Sequence, residues 1–408
     1  MTFEQAEQKL KEYSQEHVLK YYEELEEDQK EKLLSQIEAL DMRLLDLAKD
    51  GVKEQKRGKI EPLAAVTLEN IKENREGYEK LGIKAIHEGK VGAVLLAGGQ
   101  GTRLGLDKPK GMLNVGITKN LYLFEQLVYN LMEVVKKADA WVPLYIMTSE
   151  KNHEDTVGFF KEHDYFGYNS EYVFFFVQEM AAATDYQGNY YMEAKDRLAI
   201  SPNGNGGWFS SLAHAGLLEK MHETGVEWLN VFSVDNVLQK IADPVFVGAT
   251  LDAGYVCGSK VVAKAAPEER VGVLCLEDKH PSIVEYYEMT EEMIQSRDEN
   301  GELLYRYGVI LNYLFQVDAL EQIMNENLPV HIVERKIPYL DEDGKLVKPE
   351  EPNGYKYETL VLDMIKMLEN CLPVEVERER EFAPIKNRTG VDSLESAREL
   401  MKQNGMIL

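Results

Sequence analysis

The chain is 408 residues long, which suggests two to four domains at roughly 100–200 residues per domain. Hydrophobic residues make up 44% of it and charged residues 29%, so we expect a sizeable buried core, and general disorder is excluded. The formal net charge is −25, which disfavours binding to nucleic acid or to an acidic membrane surface. An anionic small-molecule ligand would therefore need a local cationic pocket.

The chain has three cysteines, and they are too few and too far apart for a disulfide framework or a CxxC metal site. We expect Cys257, Cys275 and Cys371 to be buried, reduced thiols. No stretch reaches the ~20 apolar residues that a membrane span requires, and the charged first residues lack the apolar core of a signal peptide. These features predict a cytoplasmic protein without a nucleic-acid or membrane partner.

Residues 1–88 are predicted to form an acidic N-terminal helical cap that carries no chemistry. Apolar residues at intervals of four, three, four and three positions predict one helix, on which they line a single face: Leu33, Ile37, Leu40, Leu44 and Leu47. Asp28 and Glu31 have the spacing of a capping box at its start, and Gly51 is suited to its C-terminal end.

From Val91 onward, apolar runs typical of buried strands alternate with helical stretches. Strands are predicted at residues 91–97, 142–148, 172–177, 228–234, 258–263 and 271–276. Helices are predicted at residues 121–138, 155–164, 210–224 and 394–401. This alternation predicts an α/β domain with a mixed, mostly parallel sheet over residues 89–383, followed by a short C-terminal segment, 384–408.

The first predicted strand runs directly into a glycine-rich segment, LAGGQGTRLGLDKPKG, at residues 96–111. Its glycines allow close backbone approach, so that successive N–H groups can face an anion. Arg103, Lys108 and Lys110 supply the local positive charge that the whole chain lacks. The spacing matches neither GxGxxG nor a P-loop. Because ligands of open α/β sheets bind beyond the carboxyl ends of the strands, this loop is predicted to bind phosphate.

The GG-x-GTR-L…PKG pattern resembles the signature of sugar-1-phosphate nucleotidyltransferases, and its form here is similar to the UDP-N-acetylglucosamine and UDP-sugar pyrophosphorylase branch. The resemblance covers residues 90–390 and continues through FFVQ (175–178), PNGNGG (202–207), VDN (234–236), VGV (271–273), VEY (284–286), PNGYK (352–356) and FAPIKN (382–387). It implies a Rossmann-like nucleotidyltransferase domain. It also implies a reaction that joins UTP and a sugar 1-phosphate into a UDP-sugar and releases pyrophosphate.

The resemblance further implies roles for individual side chains. Arg103 and Lys110 would neutralise the triphosphate, and Lys386, near the sugar phosphate, would complete the catalytic set. Gln178 would read the uracil edge, and Asp235 would contact the nucleotide and hold Mg²⁺. The other nucleotide-binding positions implied are Leu96, Ala97, Gly98, Gly99, Gly204 and Lys356. The other sugar-binding positions implied are Asn205, Gly272, Glu285, Tyr286 and Asn312.

Three departures from the family pattern bear on substrate choice. Val309 stands where similar enzymes turn an asparagine toward the sugar, and Leu360 and Leu362 stand where they place aromatic residues. Glu179 replaces the glycine that usually follows the uracil-reading glutamine, and Ala181–Ala182 replaces Leu-Pro. N-acetylglucosamine 1-phosphate is the expected sugar, and glucose 1-phosphate and galactose 1-phosphate stay as alternatives.

Two hypotheses of another class are weaker. A non-catalytic nucleotide-sugar-binding module could lose Arg103, Lys110 or Lys386, yet all three are present. A glycosyltransferase that consumes a UDP-sugar would not require the triphosphate-binding loop. Fewer than 25 residues follow Lys386, where larger family members carry a C-terminal domain, so the oligomer contacts of that domain are not carried over. A monomer or weak homo-oligomer is expected.

Overall fold

The computed structural model describes residues 1–50, 57–324 and 328–408. Its helices are α1 (Phe3–Lys11), α2 (Glu27–Glu38), α3 (Arg43–Asp50), α4 (Leu68–His87), α5 (Leu123–Ala138), α6 (His153–Glu162), α7 (Trp208–His214), α8 (Leu217–Thr224), α9 (Pro244–Asp252), α10 (Glu291–Gln295), α11 (Val317–Met324), α12 (Val361–Met367), α13 (Arg378–Glu381) and α14 (Leu394–Gln403). None of these described helices has the length and apolar character that crossing a bilayer requires.

The strands in the same part of the chain are mostly short. They are β1 (Ile60–Pro62), β2 (Val91–Leu96), β3 (Leu144–Thr148), β4 (Val173–Val177), β5 (Met180–Ala182), β6 (Thr184–Asp185), β7 (Met192–Ala194), β8 (Arg197–Leu198), β9 (Ile200–Pro202), β10 (Trp228–Ser233), β11 (Cys257–Ala263), β12 (Val273–Glu277), β13 (His280–Val284), β14 (Tyr307–Gln316), β15 (His331–Arg335), β16 (Tyr339–Leu340), β17 (Leu346–Val347), β18 (Gly354–Glu358) and β19 (Leu372–Glu375). The six predicted strands are confirmed as β2, β3, β4, β10, β11 and β12.

The described chain folds into two compact units, each assembled from separate stretches of sequence. Unit 1 consists of Met1–Lys56, Glu179–Gly207 and Leu328–Val361. Unit 2 consists of Arg57–Gln178, Trp208–Asn327 and Leu362–Leu408. These units divide the chain differently from the predicted segments 1–88, 89–383 and 384–408, which stay a prediction about domains.

A ten-stranded sheet, counted over the described residues, forms the centre of unit 2. Its strands β10, β2, β3 and β4 lie side by side in that order and pair in parallel, so their carboxyl ends meet at one edge. Strand β14 pairs antiparallel with β10 and extends the sheet toward β11 and β12. The predicted α/β class with a mixed sheet is confirmed, and the sheet is parallel where the glycine-rich segment leaves it.

Burial explains why these segments form strands and helices. All six residues of β2 are buried, as expected for a strand that is covered on both faces. Helices α4 and α9 pack closely because glycines lie where they cross. A Cβ on Gly82 would lie 1.9 Å from the Pro244 carbonyl oxygen, and one on Gly248 would lie 1.7 Å from the Tyr78 carbonyl oxygen. Only a residue without a side chain fits either position.

Unit 1 combines α1, α2 and α3 with small antiparallel sheets. Strands β15, β18 and β6 form one of them, and β5–β9, β7–β8 and β16–β17 form two-stranded pairs. Its core joins buried residues of the three helices to the strand segments, and it includes Ala6, Leu10, Leu33, Ile37, Tyr190 and Leu198. The N-terminal helices therefore pack on residues that lie far along the sequence.

The single helix predicted across Leu33–Leu47 is wrong, because the structure has two. Helix α2 ends at Glu38, and the Nζ of Lys9 binds the carbonyls of Ile37 (2.9 Å), Glu38 (2.9 Å) and Leu40 (3.0 Å). Helix α3 then begins at Arg43, whose N–H donates to the Asp41 carboxylate (3.1 Å). This contact with Lys9 satisfies carbonyls that a continuous helix would have bonded internally.

Two details of helix termini also differ from the prediction. The capping box of α2 starts at Glu26, whose N–H donates to Gln29 Oε1 (3.0 Å), so Asp28 and Glu31 lie inside the helix. The helix predicted over 210–224 is broken into α7 and α8 by Gly216, whose φ of 72° is left-handed. The predicted C-terminal role of Gly51 lies outside the described residues.

Candidate active site

The predicted phosphate loop, residues 96–111, is a narrow hairpin that begins where β2 ends. Gln100 and Pro109 pair across it in a β-bridge, and the Gly101 N–H donates to the Lys108 carbonyl oxygen (3.0 Å). The hairpin leaves the sheet at the edge where the carboxyl ends of β2, β3, β4 and β10 meet. This is the edge at which α/β proteins bind their ligands.

The tip of the hairpin carries the predicted catalytic arginine. Residues Thr102–Leu104 form one short helical turn, on which Arg103 is exposed. The turn ends at Gly105, whose φ of 75° lies in the left-handed region that favours glycine. The Arg103 cation is therefore exposed to solvent at the tip of the hairpin, the end that is farthest from β2.

A buried asparagine that the sequence did not single out holds the base of the loop. Asn152 is fully buried, and its Nδ2 donates to the carbonyls of Ala97 (2.9 Å) and Gly99 (3.4 Å). Its Oδ1 accepts the Ser149 N–H (2.7 Å). Because Asn152 follows β3, the strand beside β2, its place at the sheet edge was the signal that could have identified it. It fixes the loop conformation that a nucleotide would meet.

Gln178 lies against the base of the same loop. Its N–H donates to the Thr148 carbonyl at the end of β3 (2.8 Å), and the residue is only 7% exposed. A Cβ on Gly98 would lie 2.8 Å from both Nε2 and Oε1 of the Gln178 amide. The structure therefore brings the predicted uracil-reading amide to the predicted nucleotide loop. The neighbouring loop residues Leu96 and Ala97 are buried, at 7% and 2% exposure.

Lys110 and Asp235 form a direct ion pair in the site. The Lys110 Nζ lies 2.5 Å from Asp235 Oδ1, and the two side chains are 11% and 38% exposed. Lys110 ends the hairpin, and Asp235 follows β10, the other parallel neighbour of β2. The two residues predicted for the triphosphate and for its metal ion are thus in contact.

Backbone hydrogen bonds hold the segment that precedes Lys386 against this turn. The Ile385 N–H donates to the Asp235 carbonyl (2.9 Å). The amide of Asn236 donates to the Glu381 carbonyl (2.6 Å) and accepts the Ala383 N–H (2.8 Å). Lys386 is therefore placed one residue from a direct contact with Asp235, and its Nζ pairs with Asp392 Oδ2 (3.2 Å).

Buried charges anchor the start of that segment. Lys260 is fully buried, and its Nζ binds Glu381 Oε2 (2.5 Å) and Asp243 Oδ2 (3.1 Å). Burial alone would lower the pKa of Lys260, but the two carboxylates outweigh it and raise the pKa above the ordinary lysine value. Lys260 thus stays charged, and it fixes the residue whose carbonyl holds Asn236.

The predicted sugar residues Gly272 and Glu285 also lie together. A Cβ on Gly272 would lie 3.4 Å from Glu285 Oε2, and the Gly272 carbonyl accepts the Val309 N–H (2.9 Å). Burial raises the pKa of Glu285 and nearby Glu288 adds to the rise, while the positive charge of Arg57 and, to a lesser extent, that of Lys386 oppose it. The adjacent Tyr286 is 42% exposed.

Asn312 is also predicted to bind the sugar, but its side-chain amide is bonded to other groups of the protein. It is fully buried on β14, where its Nδ2 contacts Gln239 Oε1 (3.4 Å) and the Lys240 carbonyl (3.3 Å). Its Oδ1 accepts from Asn230 Nδ2 (2.8 Å). These contacts favour a structural role, and its contact with a sugar stays a prediction.

Three predicted site residues belong to unit 1, where the PNGNGG loop packs on the end of β18. A Cβ on Gly204, whose φ is 88°, would lie 2.1 Å from the Thr359 carbonyl oxygen. Asn205 Oδ1 accepts the Val361 N–H (3.0 Å). Lys356 lies on β18 itself, three residues before Thr359. Unit 1 thus gathers its own three predicted residues around one strand end.

The family model described as UTP–glucose-1-phosphate uridylyltransferase matches residues 34–406 of the chain. The chain belongs to this family. Its relatives include UDP-N-acetylhexosamine pyrophosphorylase-like protein 1 of Mus musculus, which is 38% identical over 406 residues, or 94% of this chain and 80% of that protein. UDP-N-acetylglucosamine pyrophosphorylase of Saccharomyces cerevisiae is 38% identical over 348 residues, or 81% of this chain and 72% of that protein.

A solved structure supports the same family membership. UDP-N-acetylglucosamine pyrophosphorylase from Trypanosoma brucei matches with a TM-score of 0.85 at 28% identity, covering 97% of this chain and 83% of that chain. The predicted resemblance and the nucleotidyltransferase fold are therefore confirmed. The uridylyltransferase family also explains why a loop rich in glycine and cations leaves the sheet at its ligand-binding edge.

Asp235 is the residue to test for magnesium in this uridylyltransferase. Among the described residues there is no group of three or more His, Cys, Asp or Glu side chains that could hold a metal ion. Mg²⁺ in phosphate-handling enzymes is typically held by one or two carboxylates together with substrate phosphates and waters. A single, partly exposed carboxylate beside a phosphate loop fits that pattern. Asp235 therefore suits a magnesium ion that arrives with the nucleotide.

Proposed function

We propose that this protein transfers the uridylyl group of UTP to N-acetylglucosamine 1-phosphate and releases pyrophosphate. The contact of Lys110 with Asp235 beside the glycine-rich hairpin is the observation that carries the proposal, because it joins a phosphate-binding cation to a magnesium-suited carboxylate. Relatives named for UDP-N-acetylglucosamine and UDP-N-acetylhexosamine support the choice of sugar.

The proposed reaction needs no protein nucleophile. A phosphate oxygen of the sugar 1-phosphate attacks the α-phosphorus of UTP, and the bond from that phosphorus to the bridging oxygen breaks in line. The bonding electron pair leaves with pyrophosphate, so negative charge grows on the leaving group and on the α-phosphoryl oxygens. Arg103 and Lys110 stabilise that charge, Lys386 orients the sugar phosphate, and Gln178 holds the uracil.

Asp235 is proposed to hold Mg²⁺ beside the triphosphate. The bound ion neutralises phosphate charge and so favours departure of pyrophosphate. Ligation by Asp235 would also free the Lys110 ammonium, now paired with that carboxylate, to bind the phosphates. We expect chelation of divalent cations to abolish turnover and added Mg²⁺ to restore it.

Glucose 1-phosphate and galactose 1-phosphate form the second candidate substrate class. Val309 lies next to Gly272 and offers no side-chain hydrogen bond to an N-acetyl group. If the N-acetyl sugar is preferred, the apolar side chains at the departures Val309, Leu360 and Leu362 are compatible with its methyl group. If glucose is preferred, the same residues indicate a different specificity.

Pyrophosphate release from UTP and Mg²⁺ tests the proposal directly. N-acetylglucosamine 1-phosphate, glucose 1-phosphate and galactose 1-phosphate would be compared at equal concentration, with K110M as the inactive control. We expect the N-acetyl sugar to give the highest kcat/KM. Release with none of the three would contradict the transferase proposal and favour a binding module without turnover.

We also propose that the enzyme works in the cytoplasm as a monomer or weak homo-oligomer, with UTP and the sugar phosphate as its partners. Its three cysteines are free and buried, which accords with a reducing compartment. Sedimentation at micromolar concentration would test the oligomeric state. A stable dimer or larger assembly would contradict this part of the proposal.

A further inference from the structure

The loop that follows Lys386 carries a second cation, Arg388, which the family resemblance does not assign. Hydrogen bonds close this loop at both ends. The Asp392 carbonyl accepts the N–H groups of Lys386 (2.7 Å) and Asn387 (3.0 Å), and the Asn387 carbonyl accepts the Leu394 N–H (3.0 Å). The backbone on either side of Arg388 is therefore held in place.

The guanidinium of Arg388 lies against the tip of the phosphate hairpin. Its Nη1 and Cζ lie 3.4 Å and 3.6 Å from the position that a Cβ would occupy on Gly105. Gly105 is the left-handed residue that ends the turn carrying Arg103. The tip thus has one arginine on its own turn and a second one packed on it from the C-terminal segment.

Arg388 differs from Lys110 and Lys386 in having no side-chain partner among the described residues. In the part of the chain that the structure describes, its side chain makes no hydrogen bond or ion pair. Lys110 is paired with Asp235, and Lys386 is paired with Asp392. An exposed, unpaired arginine in a molecule of net charge −25 is available to an anion without displacing a carboxylate.

The hairpin geometry indicates which anion this is. Gln178 lies at the base of the hairpin beside Gly98, where the uracil is expected, and Gly105 lies at the opposite end. The β- and γ-phosphates extend away from the base end of UTP, so they would approach the tip. A guanidinium presents a planar fork of donors that matches two phosphate oxygens.

We propose that Arg388 binds the β- and γ-phosphates of UTP and holds them as they become the leaving pyrophosphate. Arg388 forms no covalent bond. Its guanidinium donates two hydrogen bonds to phosphate oxygens and neutralises the negative charge that these oxygens gain as the bond from the α-phosphorus to the bridging oxygen breaks. This inference rests on the proposed uridylyltransferase activity. It adds a specific residue for the leaving group, distinct from Lys386 on the sugar phosphate.

Steady-state kinetics in both directions test this role, using R388A, R388K and the control R75A. Arg75 is exposed on α4, so R75A makes the same charge change elsewhere in unit 2. We expect R388A to raise the KM for pyrophosphate in the reverse reaction by roughly ten- to hundred-fold, as for loss of charge-assisted hydrogen bonds. The KM for the UDP-sugar should stay within about twofold, R388K should recover part of the loss, and R75A should match the wild type.

Two outcomes would overturn the role of Arg388. One is an unchanged KM for pyrophosphate in R388A, and the other is an equal rise in the KM for the UDP-sugar, which would mean that Arg388 only supports the loop. Calorimetric titration of magnesium pyrophosphate into wild type and R388A provides a readout without turnover. If the wild type is inactive with every sugar phosphate, the proposed function fails, while a tighter binding of pyrophosphate by wild type than by R388A would still support the anion site.

Discussion

Close approach at a single glycine determines where the Gln178 amide, predicted to read the uracil, lies. The Gln178 amide occupies the space that any side chain on residue 98 would need, since both of its terminal atoms are 2.8 Å from that Cβ position. Real Cβ atoms do not approach other heavy atoms so closely, so a larger residue must displace the amide. If Gln178 reads the uracil as proposed, uridine recognition depends on Gly98 as well.

We expect G98A to raise the KM for UTP by roughly tenfold, because moving the amide weakens one or two hydrogen bonds to the base. Turnover at saturating UTP should fall less than affinity. Steady-state kinetics would measure both, with G158A as the control. Gly158 lies on α6, and a Cβ there meets nothing within 4 Å. Unchanged affinity in G98A would contradict the uracil-reading role of Gln178.

For Arg103 we expect a loss in turnover rather than in binding. R103A should lower kcat by roughly 10²-fold or more, as when a donor to a charged transition state is lost. R103K should recover part of the rate, because it keeps the charge but not the planar fork. Single-turnover measurements with labelled UTP would separate chemistry from product release. Wild-type turnover in R103A would show that this arginine is not catalytic.

Sequence patterns identified candidate site residues that follow strands and missed residues that packing brings to the same place. Gln178 and Asp235 were accessible to prediction because they end parallel strands, whose carboxyl ends share one edge. Asn152 and Arg388 were not, because their roles depend on contacts with loops far away in the sequence. The burial of Asn312 likewise follows from neighbours on other strands.

At the level of elements, the crossing of α4 and α9 depends on glycine. Replacing Gly82 would push a methyl group into the Pro244 carbonyl. We expect G82A to lower the free energy of unfolding by about 3 kcal/mol, the upper part of the range for overpacked cores. Urea titration would measure it.

Gly77, on the same helix, provides the matched control for that measurement. A Cβ there meets nothing within 4 Å, so G77A should raise stability by about 0.5–1 kcal/mol through a better helix propensity. Opposite signs for two identical substitutions on one helix would show that packing decides the effect. Similar values for G82A and G77A would contradict the close crossing.

The elements of unit 2 were easier to predict than those of unit 1. Continuous apolar runs identify strands such as β2 in the sequence, and the observed strand ends lie within two residues of the predicted ones. The break between α2 and α3 is not visible locally, because the apolar spacing continues through it. It depends on Lys9, a residue of α1, whose ammonium binds carbonyls at the end of α2. A distant contact overrides a local pattern there.

At the scale of the whole molecule, the ionised carboxylate of Glu277 contributes to the free energy of unfolding, and acid removes that contribution. Burial would raise the pKa of Glu277, but bonds from the Gly58 N–H (2.9 Å), Lys366 (3.0 Å) and the Ser282 hydroxyl (2.9 Å) lower it to about 2, against 4.5 for an ordinary glutamate. Between about pH 2 and pH 4.5, the folded state therefore binds fewer protons than the unfolded state. The stabilising effect is complete above pH 4.5 and is lost as the pH falls toward 2.

We expect E277Q to lower the free energy of unfolding at pH 7 and the difference from wild type to shrink progressively below pH 4.5. Denaturant titrations at pH 7, 5, 4 and 3 would measure this dependence. E73Q, which changes an exposed glutamate of α4, should differ little from wild type at every pH. A difference for E277Q that is independent of pH would show that its carboxylate charge is not the source of the stability.

Each unit is assembled from separate stretches of sequence, and this arrangement affects how the chain can fold while it is synthesised on the ribosome. The first helices of unit 1 emerge long before their packing partners in Glu179–Gly207 and Leu328–Val361. At roughly 5–20 residues per second, the delay amounts to tens of seconds. Neither unit can close around its core until translation has passed residue 361. The nascent chain must therefore leave the apolar faces of its first helices uncovered for most of its synthesis.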